Sequence, residues 1–279
     1  MRVAFTKMHG NGNDFILIDE FRGEVVEENK KPEFVRAICH RNFGIGADGA
    51  IFVQPSKKAD VRFRYFNSDG SEAAMCGNGI RCFSRYVVEE GYAGERLRVE
   101  TLAGILDLEV YRDGWWVKVD MGKPRFRREE IPATVDVWGY EFEHDGKKLR
   151  IYAANTGVPH VVAFVDDLDF DIIPLARKIR YAGIFPEGTN VNFAKVEGDT
   201  IRIRTYERGV EGETLSCGTG SVAVAAVANK LGLAGNRVNV VTRGGLLKID
   251  LAENTAYMTG TANRVFEGIL RLNELKYDV

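Results

Sequence analysis

The sequence predicts an α+β chain of two pseudo-symmetric, duplicated domains, each a mainly antiparallel, barrel-like sheet around a central helix. Three observations predict it. A cysteine turn occurs twice in one internal register, Met75-Cys76-Gly77-Asn78-Gly79 over Ser216-Cys217-Gly218-Thr219-Gly220. The segment after each turn is apolar on most or all of its circumference, the mark of a helix buried all round. Period-two alternation, as in Val61-Arg62-Phe63-Arg64-Tyr65 and Ile201-Arg202-Ile203-Arg204-Thr205, supplies strands to surround those helices. Such wrapping favours barrel-like domains over a doubly wound parallel sheet.

The repeat sets the order of elements. Downstream of the turns the register never slips: Gly91-Tyr92-Ala93-Gly94 falls on Gly232-Leu233-Ala234-Gly235, Arg96 on Arg237, Val99 on Val240, Thr101 on Thr242 and Gly104 on Gly245. Upstream, one residue is inserted between strand and cysteine, which puts Asn67 opposite Glu207. Gly46-Ala47-Asp48 aligns with Gly188-Thr189-Asn190, and 12–16 more loosely with 157–162. Each copy therefore reads strand, strand, helix, strand, strand, cysteine turn, helix and closing meander. First helices are expected over 32–42 and 170–181, second helices over 80–88 and 221–231, and extra connecting strands over 124–148. At 279 residues the chain accommodates two such domains, placed at 1–120 and 121–263.

Composition narrows the partner. Lysine plus arginine number 38 against 40 aspartates and glutamates, with no long block of either sign, so nucleic acid or another polyanion is not expected. The apolar run 222–228 is too short to span a bilayer, and residues 1–9 hold no apolar core of secretory-leader length. Four cysteines without a C-x-x-C pair give neither a disulfide scaffold nor the usual zinc or thioredoxin signature. The expectation is a soluble protein of a reducing, cytoplasmic setting acting on a small molecule, with no metal.

Both repeated cysteines stand where a strand ends and a helix begins. Backbone N–H groups at a helix start lack intrahelical partners and carry partial positive charge, which favours a thiolate and cradles a carboxylate. Glycines 77, 79, 218 and 220 let backbone approach a ligand closely. One cysteine beside a glycine reads as a small core residue. Two in one register, expected to face each other across a domain cleft, read as an acid and base on opposite faces of one carbon, the requirement for inverting a stereocentre without a cofactor. Cys39 and Cys82 fall in apolar patterns and read as core, and His9, His40 and His144 as bystanders.

With these motifs stand Phe5-Thr6-Lys7-Met8-His9-Gly10-Asn11-Gly12-Asn13-Asp14-Phe15, Phe66-Asn67-Ser68-Asp69-Gly70-Ser71-Glu72 and Tyr206-Glu207-Arg208-Gly209-Val210. Together they resemble diaminopimelate epimerases over essentially the whole chain. The resemblance implies a diaminopimelate epimerase-like fold and interconversion of LL- and meso-diaminopimelate in lysine biosynthesis, without pyridoxal phosphate or metal. Cys76 and Cys217 would be acid and base. Asn11, Asn67, Asn190, Glu207 and Arg208 would bind the end of the substrate that is not inverted, and Gly77, Asn78, Gly218 and Thr219 the reacting end. His160 and Glu207 would help set thiol protonation. The final segment, 264–279, would return to the first domain, and a homodimer is left open.

Blander readings stand beside these. Asn11 and Asn13 lie in a Gly-Asn-rich stretch that also suits a turn, and Glu207 with Arg208 suits a surface ion pair. Two departures from the family pattern are visible: Val158 stands where many members have asparagine, so that Asn155 or backbone would have to substitute, and Gly49 where some have glutamine. The rivals are a proline or hydroxyproline racemase, a carboxylate-using isomerase of the phenazine-pathway type, and a redox protein bridging Cys76 with Cys217. The polar set Asn11, Asn67, Asn190 and Arg208 argues against the first, and the cysteine pair against the second.

Overall fold

The computed structural model of the chain describes residues 2–271, so the end of the expected final segment, 272–279, lies outside the described residues. The chain divides into two compact units, Met1–Val119 with Gly260–Val279, and Asp120–Thr259. The first runs β1 (Arg2–Gly10), β2 (Asn13–Asp19), α1 (Lys31–Cys39), β3 (Gly49–Pro55), β4 (Val61–Asn67), β5 (Glu72–Ala73), α2 (Gly77–Glu89), β6 (Arg96–Thr101), β7 (Gly104–Tyr111) and β8 (Trp116–Asp120). The second runs β9 (Trp138–His144), β10 (Lys147–Asn155), β11 (Pro159–Phe164), α3 (Ile173–Arg180), β12 (Asn190–Glu197), β13 (Thr200–Glu207), β14 (Gly212–Thr214), α4 (Gly218–Lys230), β15 (Arg237–Thr242), β16 (Gly245–Leu251) and β17 (Ala256–Thr261). The last strand, β18 (Asn263–Arg271), pairs antiparallel with β1, with Arg2 opposite Arg271 and His9 opposite Asn263.

In the first unit β1–β2, β3–β4, β4–β5, β6–β7 and β7–β8 are antiparallel, whereas β2–β3 and β4–β6 are parallel. The second repeats the scheme: β10–β11, β12–β13, β13–β14 and β15–β16 are antiparallel, β11–β12 and β13–β15 parallel. Each parallel pair is joined through a helix, because strands running the same way need a crossover. β9 lies antiparallel on β10 as β18 does on β1.

The helices after the cysteines are the centre of each unit. α2 packs against β1, β2, β3, β4 and β7, and α4 against β10, β11, β12, β13, β15 and β16. From Ser221 to Ala228 every residue of α4 is buried, as the all-round apolar pattern requires. The strands beneath are apolar in turn: Ala50, Ile51, Phe52 and Val53 of β3 are fully buried, as expected of a strand covered on both faces.

Helix boundaries depart from the sequence expectation in a consistent way. α2 and α4 begin three residues before 80 and 221, since the glycines after each cysteine form the first helical turn rather than a separate loop. α1 stops at Cys39, where His40 turns extended and its Nδ1 accepts from the backbone of Asn42 and Phe43. α3 starts only at Ile173, whose N–H donates to Asp171 Oδ1 at 3.0 Å, while Phe170 packs edge-on against Phe193.

Candidate active site

Each cysteine is the N-cap of its unit's central helix. Cys76 has φ −141° and ψ 118°, Cys217 φ −121° and ψ 113°, extended values that aim the chain into the helix. Neither side chain caps the helix itself. The first intrahelical bonds run from Ile80 N to Cys76 O at 2.8 Å and from Ser221 N to Cys217 O at 3.0 Å. The N–H groups of the glycines between them are left by position without intrahelical acceptors, an anion cradle beside each sulfur.

In the first unit the Cys76 thiol donates to Asn13 Oδ1 at 3.8 Å, and Asn78 Nδ2 donates to the same oxygen at 3.2 Å. Asn13 Nδ2 in turn donates to Asp48 Oδ2 at 2.6 Å, and Arg41 Nη2 holds Asp48 Oδ1 at 2.7 Å. Asn11 and Gly12, with φ of +53° and +83°, make the tight turn between β1 and β2. Asn11 thus does serve a turn, yet its Oδ1 also accepts from Arg81 Nη2 at 2.7 Å. Arg81 is fully buried and also donates to Gly77 O at 3.0 Å and Thr261 O at 3.4 Å. Burial pulls its pKa down to about 10, so it remains a cation at neutral pH. Gly10 lets the chain pass close to this network, since a Cβ there would lie 3.0 Å from both Arg81 Nη2 and Asn78 O. Asn67 closes the β4–β5 turn, donating to Ser71 Oγ at 3.1 Å.

In the second unit Cys217 Sγ lies 3.4 Å from Thr219 Oγ1, which lies 2.9 Å from His160 Nε2. His160 Nδ1 meets Asn192 Nδ2 at 3.2 Å, and Thr205 Oγ1 donates to Asn192 Oδ1 at 2.9 Å. Burial, with the Arg208 cation adding to it, pushes the His160 imidazole down to about 3. A Cβ on Gly220 would sit 2.5 Å from Asn192 Oδ1, so α4 can rest on this array only through a glycine. Asn190 is committed to the backbone on both sides, donating to Pro159 O at 2.9 Å and accepting from Arg208 N at 2.8 Å. The Arg208 guanidinium donates to Glu187 O at 3.1 Å, and Glu207 ends β13 opposite Gly212. Asn155 donates to Glu130 O at 2.6 Å and accepts from Gly157 N at 3.0 Å, so its side chain serves the local turn.

Within each unit, then, Cys76 stands with Asn78 and Gly77, and Cys217 with Thr219 and His160. Cys39 and Cys82 are buried, and that burial pushes both thiols up to about 12. Sequence reasoning weighed Asn13 only against a turn role and gave no role to Asp48, Asn192, Thr205 and above all Arg81. For Arg81 a signal existed: it and Arg85 are cations in a helix apolar on most sides. Among the described residues no His, Cys, Asp or Glu group could hold a metal ion, and no helix is long and apolar enough to cross a membrane.

A family model described as diaminopimelate epimerase matches residues 5–127 and 152–265. A diaminopimelate epimerase of Archaeoglobus fulgidus is 83% identical over 100% of both chains. One of Methanothrix thermoacetophila is 54% identical over 96% of each. Among solved structures, a probable proline racemase of Agrobacterium radiobacter superposes with TM-score 0.71 at 17% identity, covering 97% of this chain and 93% of its own. A phenazine biosynthesis protein of the PhzF family from Bacillus anthracis gives 0.70 at 17%, covering 98% and 100%. At such identities these two share the fold alone.

Proposed function

The chain belongs to the diaminopimelate epimerase family, and on that premise we propose that Cys76 and Cys217 carry out its reaction as a thiolate and thiol pair. The reaction is epimerisation of LL- to meso-diaminopimelate, an isomerisation in lysine biosynthesis. One observation carries the two-thiol reading: in both units the same position, the N-cap of the central helix, is a cysteine whose side chain makes no capping bond.

One thiolate removes the α-proton, and the electron pair left behind spreads into the α-carboxylate as an enolate-like charge. The other thiol gives its proton to the opposite face, so that one S–H is formed and one consumed. Exchange with solvent resets the pair. The helix N-termini, through Gly77, Asn78, Gly218 and Thr219, stabilise the carboxylate as charge grows on it, the point at which binding lowers the barrier. Asn11, Asn67, Asn190, Glu207 and Arg208 hold the distal amino-acid end, and His160 and Glu207 tune the thiols. No cofactor takes part, the partner is the small substrate, and the setting is cytoplasmic. Incubation with LL-diaminopimelate in deuterated water tests the reading: deuterium at the α-carbon with meso product is expected, and neither appearing would overturn it.

A further inference from the structure

The turn that carries Glu207 and Arg208 is built unlike its counterpart in the first unit. Across the first turn Phe66 pairs with Glu72, six positions on; across the second Tyr206 pairs with Glu213, seven on, so the residue by which the second copy is longer falls here. The first turn closes on itself: Asp69 Oδ1 accepts from Ser71 N at 2.8 Å and from Ser71 Oγ at 2.6 Å. In the second, Glu211 N donates to Glu207 O at 2.9 Å, and Glu211 stands at φ +55°, a left-handed value that a non-glycine residue keeps only where its surroundings impose it. Its own carboxylate supplies the constraint. Oε1 accepts from Gly209 N at 3.0 Å and from Arg180 Nη2 at 2.9 Å, and Oε2 accepts from the buried Tyr206 hydroxyl at 3.2 Å.

Arg180 carries this support to a second loop. It ends α3 with a side chain only 12% exposed, and its Nη1 lies where a Cβ on Gly188 would fall, so the loop 187–190 rests directly on it. The same loop receives Arg208, whose Nη1 donates to Glu187 O at 3.1 Å and whose backbone N donates to Asn190 Oδ1 at 2.8 Å. Anchored through Nη1, the guanidinium has Nε and Nη2 left for a carboxylate, the planar pair of donors that group takes best.

We infer that Glu211 and Arg180 are positioning residues for the reaction: by joining the turn 207–211 to the loop 187–190 they hold Asn190, Glu207 and Arg208 in the pose that grips the distal amino-acid end of the substrate. The inference rests on the reading that these three residues hold that end. Burial opposes ionisation of Glu211, but hydrogen bonds from Gly209 N, Tyr181 and Arg180 overcome it and hold the carboxyl down at about 2, so the clasp is charged at neutral pH.

The test is steady-state epimerisation of LL-diaminopimelate by Glu211→Gln, Arg180→Met and the double variant, with thermal melts alongside. Each single variant should raise KM about tenfold, as loss of a hydrogen bond between charged groups implies. Turnover should stay within about twofold, because the contact serves substrate and transition state alike. The double variant should be no worse than the poorer single one, since both break one clasp. Tyr206→Phe, which deletes one donor to Glu211 and little bulk, guards against a variant that fails to fold and should raise KM about threefold. An unchanged KM in Glu211→Gln, with or without a lower melting temperature, would overturn the inference, as would a fall in kcat with no rise in KM or losses that multiply fully in the double variant. Arg208→Met separates the inference from the reading beneath it. A raised KM there with an unchanged KM in Glu211→Gln sinks the inference alone, whereas an unchanged KM in Arg208→Met sinks the reading and the inference with it.

Discussion

Helix α2 buries Arg81 where the repeat places Val222 in α4, and the turns above the two helices are built accordingly. In the first unit a cation organises the turn, tying Asn11, Gly77 O and Thr261 O to one guanidinium. In the second a neutral file of Thr205, Asn192, His160 and Thr219 does so, on a helix that is apolar all round. A duplicated fold can keep its cysteine in place with either kind of scaffold. What differs is the side chain beside the sulfur, the Asn13 amide for Cys76 and the Thr219 hydroxyl for Cys217.

The comparison breaks most visibly at the sulfurs. Cys76→Ser and Cys217→Ser should each lower epimerisation turnover about 10²–10⁴-fold, the scale of a lost general acid or base; full turnover in either would remove the two-thiol scheme. Next comes the cation. Arg81→Met should cost about 3 kcal/mol by denaturant unfolding, because buried acceptors lose their donor, against about 2 kcal/mol for Val222→Ala, which deletes only packing. Equal losses would mean that the guanidinium contributes no more than its bulk.

Acid separates the units further. The folded-state pKa of His160, about 3, lies below its ordinary 6.5, so the unfolded chain takes up a proton that the folded chain refuses. The stability contribution is whole above 6.5 and is lost as pH falls toward 3, at up to about 1.4 kcal/mol per pH unit. His160→Gln should flatten that part of the stability profile, and parallel profiles would contradict a neutral buried imidazole. The smallest contrast lies in the helix glycines. Gly220→Ala should destabilise by about 1–3 kcal/mol, since its Cβ meets Asn192 Oδ1 at 2.5 Å. Gly79→Ala, whose nearest contact is 3.4 Å, should change stability by less than about 1 kcal/mol. Thermal melts of the pair decide it.

Much of this architecture could be read before any coordinates. A repeat in fixed register exposes two units, and burial on all sides of 221–228 leaves only a position inside a sheet. The cysteines were legible because duplication puts one at the same position of each unit, before the central helix. The first turns of α2 and α4 were not, because glycine and asparagine score as loop formers while the sheet around them enforces helix. Arg81 was hidden by the ordinary rule that arginine faces water, and Asn192 and Thr205 by sitting in strands where alternation treats a polar residue as solvent-facing. The protonation of His160 depends on burial and on Arg208, neither of which spacing reveals.

The tight turn between β1 and β2 bears on chemical ageing. Asn-Gly pairs are the peptide bonds most prone to deamidation, in which the backbone nitrogen after asparagine attacks the side-chain carbonyl carbon. Here Asn11 Oδ1 is held by Arg81, and Gly12 N, the would-be nucleophile, donates to His9 Nδ1 at 3.4 Å. The other pair, Asn78-Gly79, lies in the first turn of α2, where helical geometry keeps the two atoms apart. Folding thus shelters both vulnerable asparagines, and the lifetime of the protein at elevated temperature is tied to how seldom those two turns open.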